Sequence, residues 1–256
     1  MKVHISIILI ATTAISTSYA QDDFVQSGSY GIRYCGTGPG SRAATLQDIL
    51  PNFLSKLRLV QADAQKGNES KAFRAFFKSQ SNAPHVQGVF QRMANGRPAI
   101  IPSEGRNIGH VRFENPNLVC LHPTMPDYEA LRQQCGSTSI ATTKQNRALV
   151  LLCQPYWGLD EEPEGIDCPV VRRNVFTQNN DNRMMRNQFA AFVHEMAHAY
   201  AVSWIPTEAK GIMDCVALSA GASVKNVQNF ALYAAMVVAG CTRYPDPDML
   251  RGGHGK

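Results

Sequence analysis

The most informative segment of this chain is NQFAAFVHEMAHAY, residues 187–200. His194 and His198 are four positions apart, so they lie on one face of an α-helix, and both imidazoles can reach one metal ion at about 2 Å. Glu195 is too close to His194 to bind the same ion comfortably, but it is well placed to take a proton from a metal-bound water. The spacing therefore predicts one Zn²⁺ ion held by His194 and His198, with Glu195 as the catalytic base.

The surrounding residues support this interpretation of the two histidines. Phe189, Phe192, Val193 and Met196 give the helix an apolar face that can be buried beside a pocket. The pattern predicts a long helix over about 183–202. Two ordinary histidines and a surface glutamate would not require such an apolar helix around them.

A catalytic zinc site needs a third protein ligand and a position open to water. The downstream candidates are Glu208 and Asp214, and His110 and His122 are upstream candidates. Asp214 is slightly favoured over Glu208, because the turn at Gly211 can bring a short carboxylate back to the helix.

Residues 1–20 have the features of a secretory signal peptide. Lys2 is followed by an apolar run too short to span a bilayer, and Ser18-Tyr19-Ala20 has the small-x-small pattern of a cleavage site. No later segment is apolar enough to cross a membrane. We therefore expect a secreted, extracellular protein that makes no membrane contact and is a monomer.

Charge and cysteine content narrow the function classes further. The formal charge of +5 comes from scattered residues, so the chain has no dense basic run that would favour nucleic-acid binding. Seven cysteines in an exported chain predict up to three disulfides, and the absence of a CxxC pair argues against a cysteine zinc site. Cys215 is expected to form a disulfide, with Cys241 as a candidate partner.

Hydrophobic periodicity predicts an α+β fold that is mainly helical, with a small sheet. An extended N-terminal segment (21–42) precedes one domain (43–243) and a flexible tail (244–256). Pro51 is expected to break or start a helix. The remaining predicted elements are helices over 43–64, from Asn68 or Ser70 through Phe77, and over 86–93, 127–134 and 224–239, with strands over 110–121 and 148–153.

Several segments resemble the aspzincin, or deuterolysin-like, metallopeptidases. That family has an HExxH motif followed by GTxDxxYG, and here HEMAHAY is followed by GIMDCVAL at 211–218. Residues 70–94, 148–157 and 226–235 also resemble the family, so the likeness covers about 43–240. It implies a zincin-like fold, a protein or peptide substrate and Asp214 as the third zinc ligand.

The chain departs from the family pattern after the zinc helix. The gap from His198 to Asp214 is longer than usual, Ile212 stands for the threonine, and Ala217 and Leu218 replace the tyrosine and glycine. The tyrosine is expected to stabilise the oxyanion, so Tyr200, Tyr233 or Trp204 would have to replace it. The first functional hypothesis is a secreted zinc endopeptidase. The alternatives are a secreted zinc-binding or interaction protein with little or no peptidase activity, and a disulfide-stabilised structural domain without metal.

Overall fold

The structure is a computed structural model that describes residues 24–95, 117–125, 128–137, 139–144, 149–165, 168–172, 175–176, 181–200 and 208–246. The predicted signal peptide and His110 lie outside these residues. Within them the fold is α+β, with a large helical part and a small sheet, as the periodicity predicts. None of the helices in the described ranges has the length and the apolar character needed to cross a bilayer.

The helical part is built from one long helix and several shorter ones. Its helices are α1 (Arg42–Gln65), α2 (Lys71–Phe77), α3 (Ala83–Asn95), α4 (Tyr128–Cys135), α5 (Asp181–Met185), α6 (Gln188–Tyr200), α7 (Ile212–Ala217), α8 (Ala220–Ser223) and α9 (Val227–Val238). Almost every residue of α9 is buried, because α9 packs against α1, α2 and α6. The helix that carries the two histidines is therefore supported by α9, a helix with almost no exposed residue.

Within the described residues, five strands form one mixed sheet and two short strands form a separate ladder. The strands are β1 (Phe24–Ser27), β2 (Tyr30–Arg33), β3 (Asn117–Cys120), β4 (Ala141–Lys144), β5 (Leu149–Leu152), β6 (Val171–Arg172) and β7 (Val175–Phe176). The sheet order is β1-β2-β3-β5-β4; β2, β3 and β5 run parallel, whereas β1 and β4 are antiparallel to their neighbours. Strand β4 thus forms an edge of the sheet, and it packs on α6.

Local sequence explains where the early helices begin. The hydroxyl of Ser41 accepts a hydrogen bond from the backbone N–H of Ala44, and the hydroxyl of Ser70 accepts one from that of Phe73. Each serine satisfies a donor that the first turn of a helix leaves unpaired. The predicted helix start at Ser70 is confirmed.

The expectation for Pro51 is wrong, since α1 continues through it. A proline inside a helix removes the hydrogen bond to the carbonyl four residues earlier, here that of Gln47. Both Pro51 and Gln47 lie on the exposed side of α1, where water can solvate that carbonyl. The opposite side of the helix buries residues along its whole length, including Leu46, Phe53 and Val60, and this burial outweighs the loss.

Three disulfides join the elements of the described chain, as predicted from the cysteine count. They are Cys35–Cys120, Cys135–Cys153 and Cys168–Cys241. The suggested pairing of Cys215 with Cys241 is wrong, because Cys241 is bonded to Cys168 and Cys215 is a buried thiol. Cys35–Cys120 ties the chain just after β2 to the end of β3. Strands β1 and β2 lie within the predicted extended segment 21–42, so part of that segment belongs to the sheet.

Candidate metal centre

Helix α6 begins at a side-chain cap and divides into two faces. Oδ1 of Asn187 accepts a 2.7 Å hydrogen bond from the backbone N–H of Ala190, which satisfies a donor of the first turn. One face is buried against the core, where Phe189 and Phe192 contact Phe53 at centroid distances of 5.5 and 5.7 Å. This packing fixes the rotation of α6, so the face with the two histidines points away from the core.

His194 lines a cavity of about 360 Å³, and His198 lies beside His194 on the same helix face. Their ring centroids are 5.0 Å apart, as expected for residues four positions apart on one helix face. The cavity is lined by both apolar and polar side chains: Ile140, Ala141, Met185, Ala191, His194, Glu195, Glu208, Lys210 and Gln228. The site is thus built from the edge of the sheet, helix α6 and the segment that precedes α7.

The two histidines meet a carboxylate that belongs to Glu208. Nε2 of His198 is 3.2 Å from Oε1 of Glu208, and Nε2 of His194 is 3.9 Å from Oε2. One ligand atom from each of the three residues lies within 4.8 Å of the others. Tetrahedral zinc with bonds of about 2 Å places its ligand atoms about 3.3 Å apart, so this donor set can hold a metal ion with small adjustments.

Asp214 and His122, two of the other ligand candidates, do not join this group among the described residues. Asp214 lies in the first turn of α7 and is exposed. His122 is exposed in the loop after β3, where its Nδ1 is 2.8 Å from the Thr124 hydroxyl. The assignment of Asp214 as a ligand remains a prediction, and Glu208 is the carboxylate that the fold brings to the histidines.

The segment around Glu208 is held by a buried polar network. The carbonyl of Ala209 accepts hydrogen bonds from Nδ2 of Asn226 at 3.1 Å and from the Cys215 thiol at 3.3 Å. Nδ2 of Asn229 donates to the carbonyls of Phe76 and Cys215, which ties this network to α2 and α7. The residue next to Glu208 is thereby fixed from the core side.

Glu195 is buried next to the histidines and is held by the sheet edge. The Thr143 hydroxyl lies 2.6 Å from Oε2 of Glu195 and 2.9 Å from its backbone carbonyl. Burial raises the pKa of Glu195, while the Thr143 hydrogen bond and the charge of His198 oppose that rise. A carboxylate with a raised pKa at the wall of a cavity is suited to taking up and releasing a proton.

Burial also keeps both imidazoles in the form that binds metal. It lowers the pKa of His194; the Glu208 carboxylate opposes this shift and the charge of Lys210 adds to it. Burial and the neighbouring His194 lower the pKa of His198 from 6.5 to about 4. Near neutral pH the imidazoles are therefore neutral, as metal ligation requires.

The two tyrosines proposed as replacements for the family's tyrosine, Tyr200 and Tyr233, do not line the cavity. Tyr200 is buried beside Tyr30, and the hydroxyl of Tyr233 donates to Asp63 at 2.8 Å. Trp204 lies outside the described residues.

No motif or spacing in the sequence pointed to Thr143. The strand that carries it is only four residues long, too short for its periodicity to predict it, although threonine is common in strands. The residues on either side of Thr143 do not predict which helix this edge strand contacts. Only the folded structure connects Thr143 to Glu195.

No family model matches this chain, and no curated protein sequence matches it. Among solved structures, the chain is similar to a zinc peptidase from Grifola frondosa, with 13% sequence identity and a TM-score of 0.42. The similarity covers 77% of this chain and 98% of that chain. At these values the likeness assigns no role to any residue of this chain, so its chemistry has to be argued from its own side chains.

Proposed function

We propose that this chain is a secreted zinc-dependent endopeptidase whose metal is held by His194, His198 and Glu208. The observation that carries the proposal is that two imidazoles and one carboxylate form a group able to hold a metal ion, beside a cavity that the separate buried Glu195 also lines. Structural zinc sites have no need for the separate glutamate, whereas catalytic ones use three protein ligands and a nearby base. The expected signal peptide, the three disulfides of the described residues and a cavity of about 360 Å³ agree with this function.

The chain's own residues divide the work of peptide hydrolysis between them. Zinc bound at this site would supply a Lewis acid that polarises the scissile carbonyl and lowers the pKa of water. Glu195 takes the proton of the attacking water at its carboxylate and then delivers it to the leaving amine. Lys210 lines the same cavity and offers an ammonium donor for the negative charge that develops on the carbonyl oxygen.

Metal analysis of matched variants tests the ligand set. We expect about one zinc per wild-type chain, little zinc in Glu208→Ala and unchanged zinc in Asp214→Ala. The opposite result for the two variants would make Asp214 the ligand, as the family resemblance implies. A wild-type protein that takes up no zinc would reject both versions of the site.

Cleavage of casein by the same samples tests the activity. We expect cleavage that stops with a chelator and returns with added zinc. The alternative function is a secreted zinc-binding or interaction protein, and it is favoured by the absence of any tyrosine among the described lining residues. Stoichiometric zinc without cleavage would support that alternative.

A further inference from the structure

Strand β4 brings one polar side chain from the sheet to the zinc helix. The strand pairs antiparallel with β5, with Thr143 opposite Val150, and its other side is the edge of the sheet. Side chains on a strand alternate between its two faces, so Thr142 and Thr143 point in opposite directions. Thr143 is the threonine that faces α6, where its hydroxyl meets Glu195.

The Thr143 hydroxyl has two acceptors on the same residue but only one hydrogen to donate. Its distance of 2.6 Å from Oε2 of Glu195 is typical of a hydroxyl that donates to a carboxylate. The second acceptor, the Glu195 carbonyl at 2.9 Å, lies inside α6, where carbonyls already accept the helix hydrogen bond. The hydrogen is therefore directed to the carboxylate.

This bond makes the two carboxylate oxygens of Glu195 different from each other. Oε2 accepts the bond from the Thr143 hydroxyl, whereas no side chain among the described residues donates to Oε1; the backbone of Thr143 adds a further hydrogen bond to the same carboxylate. The terminal torsion of a glutamate is broad and roughly two-fold, so a buried carboxylate without such a partner has no single preferred rotation. A β-branched residue in a hydrogen-bonded strand is a rigid partner for it.

We propose that Thr143 is a positioning residue, which fixes the rotation of the Glu195 carboxylate and leaves Oε1 to exchange the proton with water and the leaving amine. The role of this proton exchange rests on the proposed peptidase function. The positioning itself rests on the two contacts of Thr143 and on the burial of Glu195, which is 7% exposed.

A purely structural role would have different consequences. Any buried carboxylate needs a hydrogen-bond donor, and losing that donor would lower the stability of the whole protein. A positioning role affects the chemical step in folded, zinc-loaded protein, because a misplaced base slows catalysis even where binding is intact. Separate measurement of kcat and KM therefore distinguishes the two roles.

The experiment compares Thr143→Val, Thr143→Ser and the matched control Thr142→Val, each as the full secreted chain loaded with zinc. For Thr143→Val we expect kcat to fall about 10- to 100-fold, the cost typical of losing such a supporting hydrogen bond, with KM within about twofold and zinc content unchanged. Thr143→Ser keeps the hydroxyl and should recover most of kcat. Thr142→Val alters the same strand on its other face and should match the wild type.

A crystal structure of the zinc-free wild type and of Thr143→Val gives a readout that needs no activity. We expect one Glu195 rotamer bonded to Thr143 in the wild type and a rotated or multiply placed carboxylate in the variant. An unmoved carboxylate, an unchanged kcat in Thr143→Val, or a Thr143→Ser variant as slow as Thr143→Val would each overturn the positioning role. A wild type that binds zinc but cleaves nothing would instead reject the peptidase function, while the crystal structures would still decide the positioning.

Discussion

Two carboxylates of this protein, the partly buried Asp63 and the buried Glu195, have very different partners. Oδ2 of Asp63 accepts hydrogen bonds from the Ser70 hydroxyl at 2.6 Å and from the Tyr233 hydroxyl at 2.8 Å, and Oδ1 lies 3.4 Å from Nζ of Lys66. We call these residues the packing cluster. They join α1, α2 and α9, and both oxygens of the carboxylate are engaged.

The cavity cluster consists of His194, Glu195, His198 and Glu208. Within the described residues only Oε2 of Glu195 accepts a hydrogen bond from a side chain, and Glu208 meets two imidazoles that burial keeps neutral. A carboxylate with side-chain donors at both oxygens holds helices together, whereas one at a cavity wall with a side-chain donor at a single oxygen can exchange a proton. The comparison predicts that changes in the first cluster alter stability and changes in the second alter chemistry.

Glu195→Gln is expected to have the largest effect. The amide is nearly isosteric but cannot take up the proton, so turnover should fall about 1,000-fold, within the range typical of a lost general base. Zinc content should stay near that of the wild type, because Glu195 is not a ligand in the proposed site. Cleavage assays and metal analysis on the same preparation measure both.

The matched control for that variant is Asp63→Asn in the packing cluster. It makes the same chemical change in a carboxylate outside the cavity and should leave kcat within about twofold. If Glu195→Gln retains wild-type turnover, or if Asp63→Asn loses turnover as severely, the division between the two clusters does not hold.

Acid is expected to destabilise the zinc-free protein through the cavity cluster. Burial and His194 lower the pKa of His198 from 6.5 to about 4, so the unfolded chain takes up a proton before the folded one does. This stability is present above pH 6.5 and is lost as the pH falls towards 4, by about 3 kcal/mol in total. Urea unfolding in the presence of a chelator at pH 7 and pH 4 measures the change.

His198→Gln isolates this contribution, since glutamine does not titrate. The variant should lose about 3 kcal/mol less than the wild type over the same interval. An equal loss in both proteins would show that His198 keeps an ordinary pKa in the folded state.

Asp63→Ala is expected to lower the free energy of unfolding by about 2 kcal/mol. It leaves the buried Tyr233 hydroxyl without its acceptor and removes the partner of the Ser70 hydroxyl. Leaving a buried donor without its acceptor typically costs about 1–3 kcal/mol. Zinc content and kcat should not change. Urea unfolding measures the loss, and a fall in zinc content would contradict the structural role given to this cluster.

The sequence predicted most of the helical fold because helices leave a local pattern. The buried positions of α1 recur at helical spacing, and the predicted helices over 127–134 and 224–239 appear as Tyr128–Cys135 and Val227–Val238. The strands over 110–121 and 148–153 appear in part as Asn117–Cys120 and Leu149–Leu152, and residues 96–116 lie outside the described ranges. Burial of one face over several turns is visible without any tertiary information.

The candidate site was less predictable because its parts are distant in sequence. His194, Glu195 and His198 form a local motif, but the carboxylate that meets them depends on how residues 208–214 return to α6. Glycine at 211 favoured Asp214, whereas the fold brings Glu208 to the histidines and exposes Asp214. Thr143 and the Ala209–Cys215–Asn226 contacts join separate segments, and no spacing rule predicts such contacts.

Cys215→Ala is expected to have the smallest effect, and it tests whether Cys215 belongs to the packing cluster or to the support of the cavity cluster. Its thiol is buried and donates to the Ala209 carbonyl, one residue after the proposed ligand Glu208. Asn226 donates to the same carbonyl at 3.1 Å, so Cys215→Ala should keep the segment in place. We expect a loss of about 1 kcal/mol in stability from the missing weak bond and the small void, with zinc content and kcat within about twofold of the wild type. If zinc affinity falls with Cys215→Ala but not with Asp63→Ala, the thiol belongs to the support of the metal site, and the cavity cluster extends one layer further into the core.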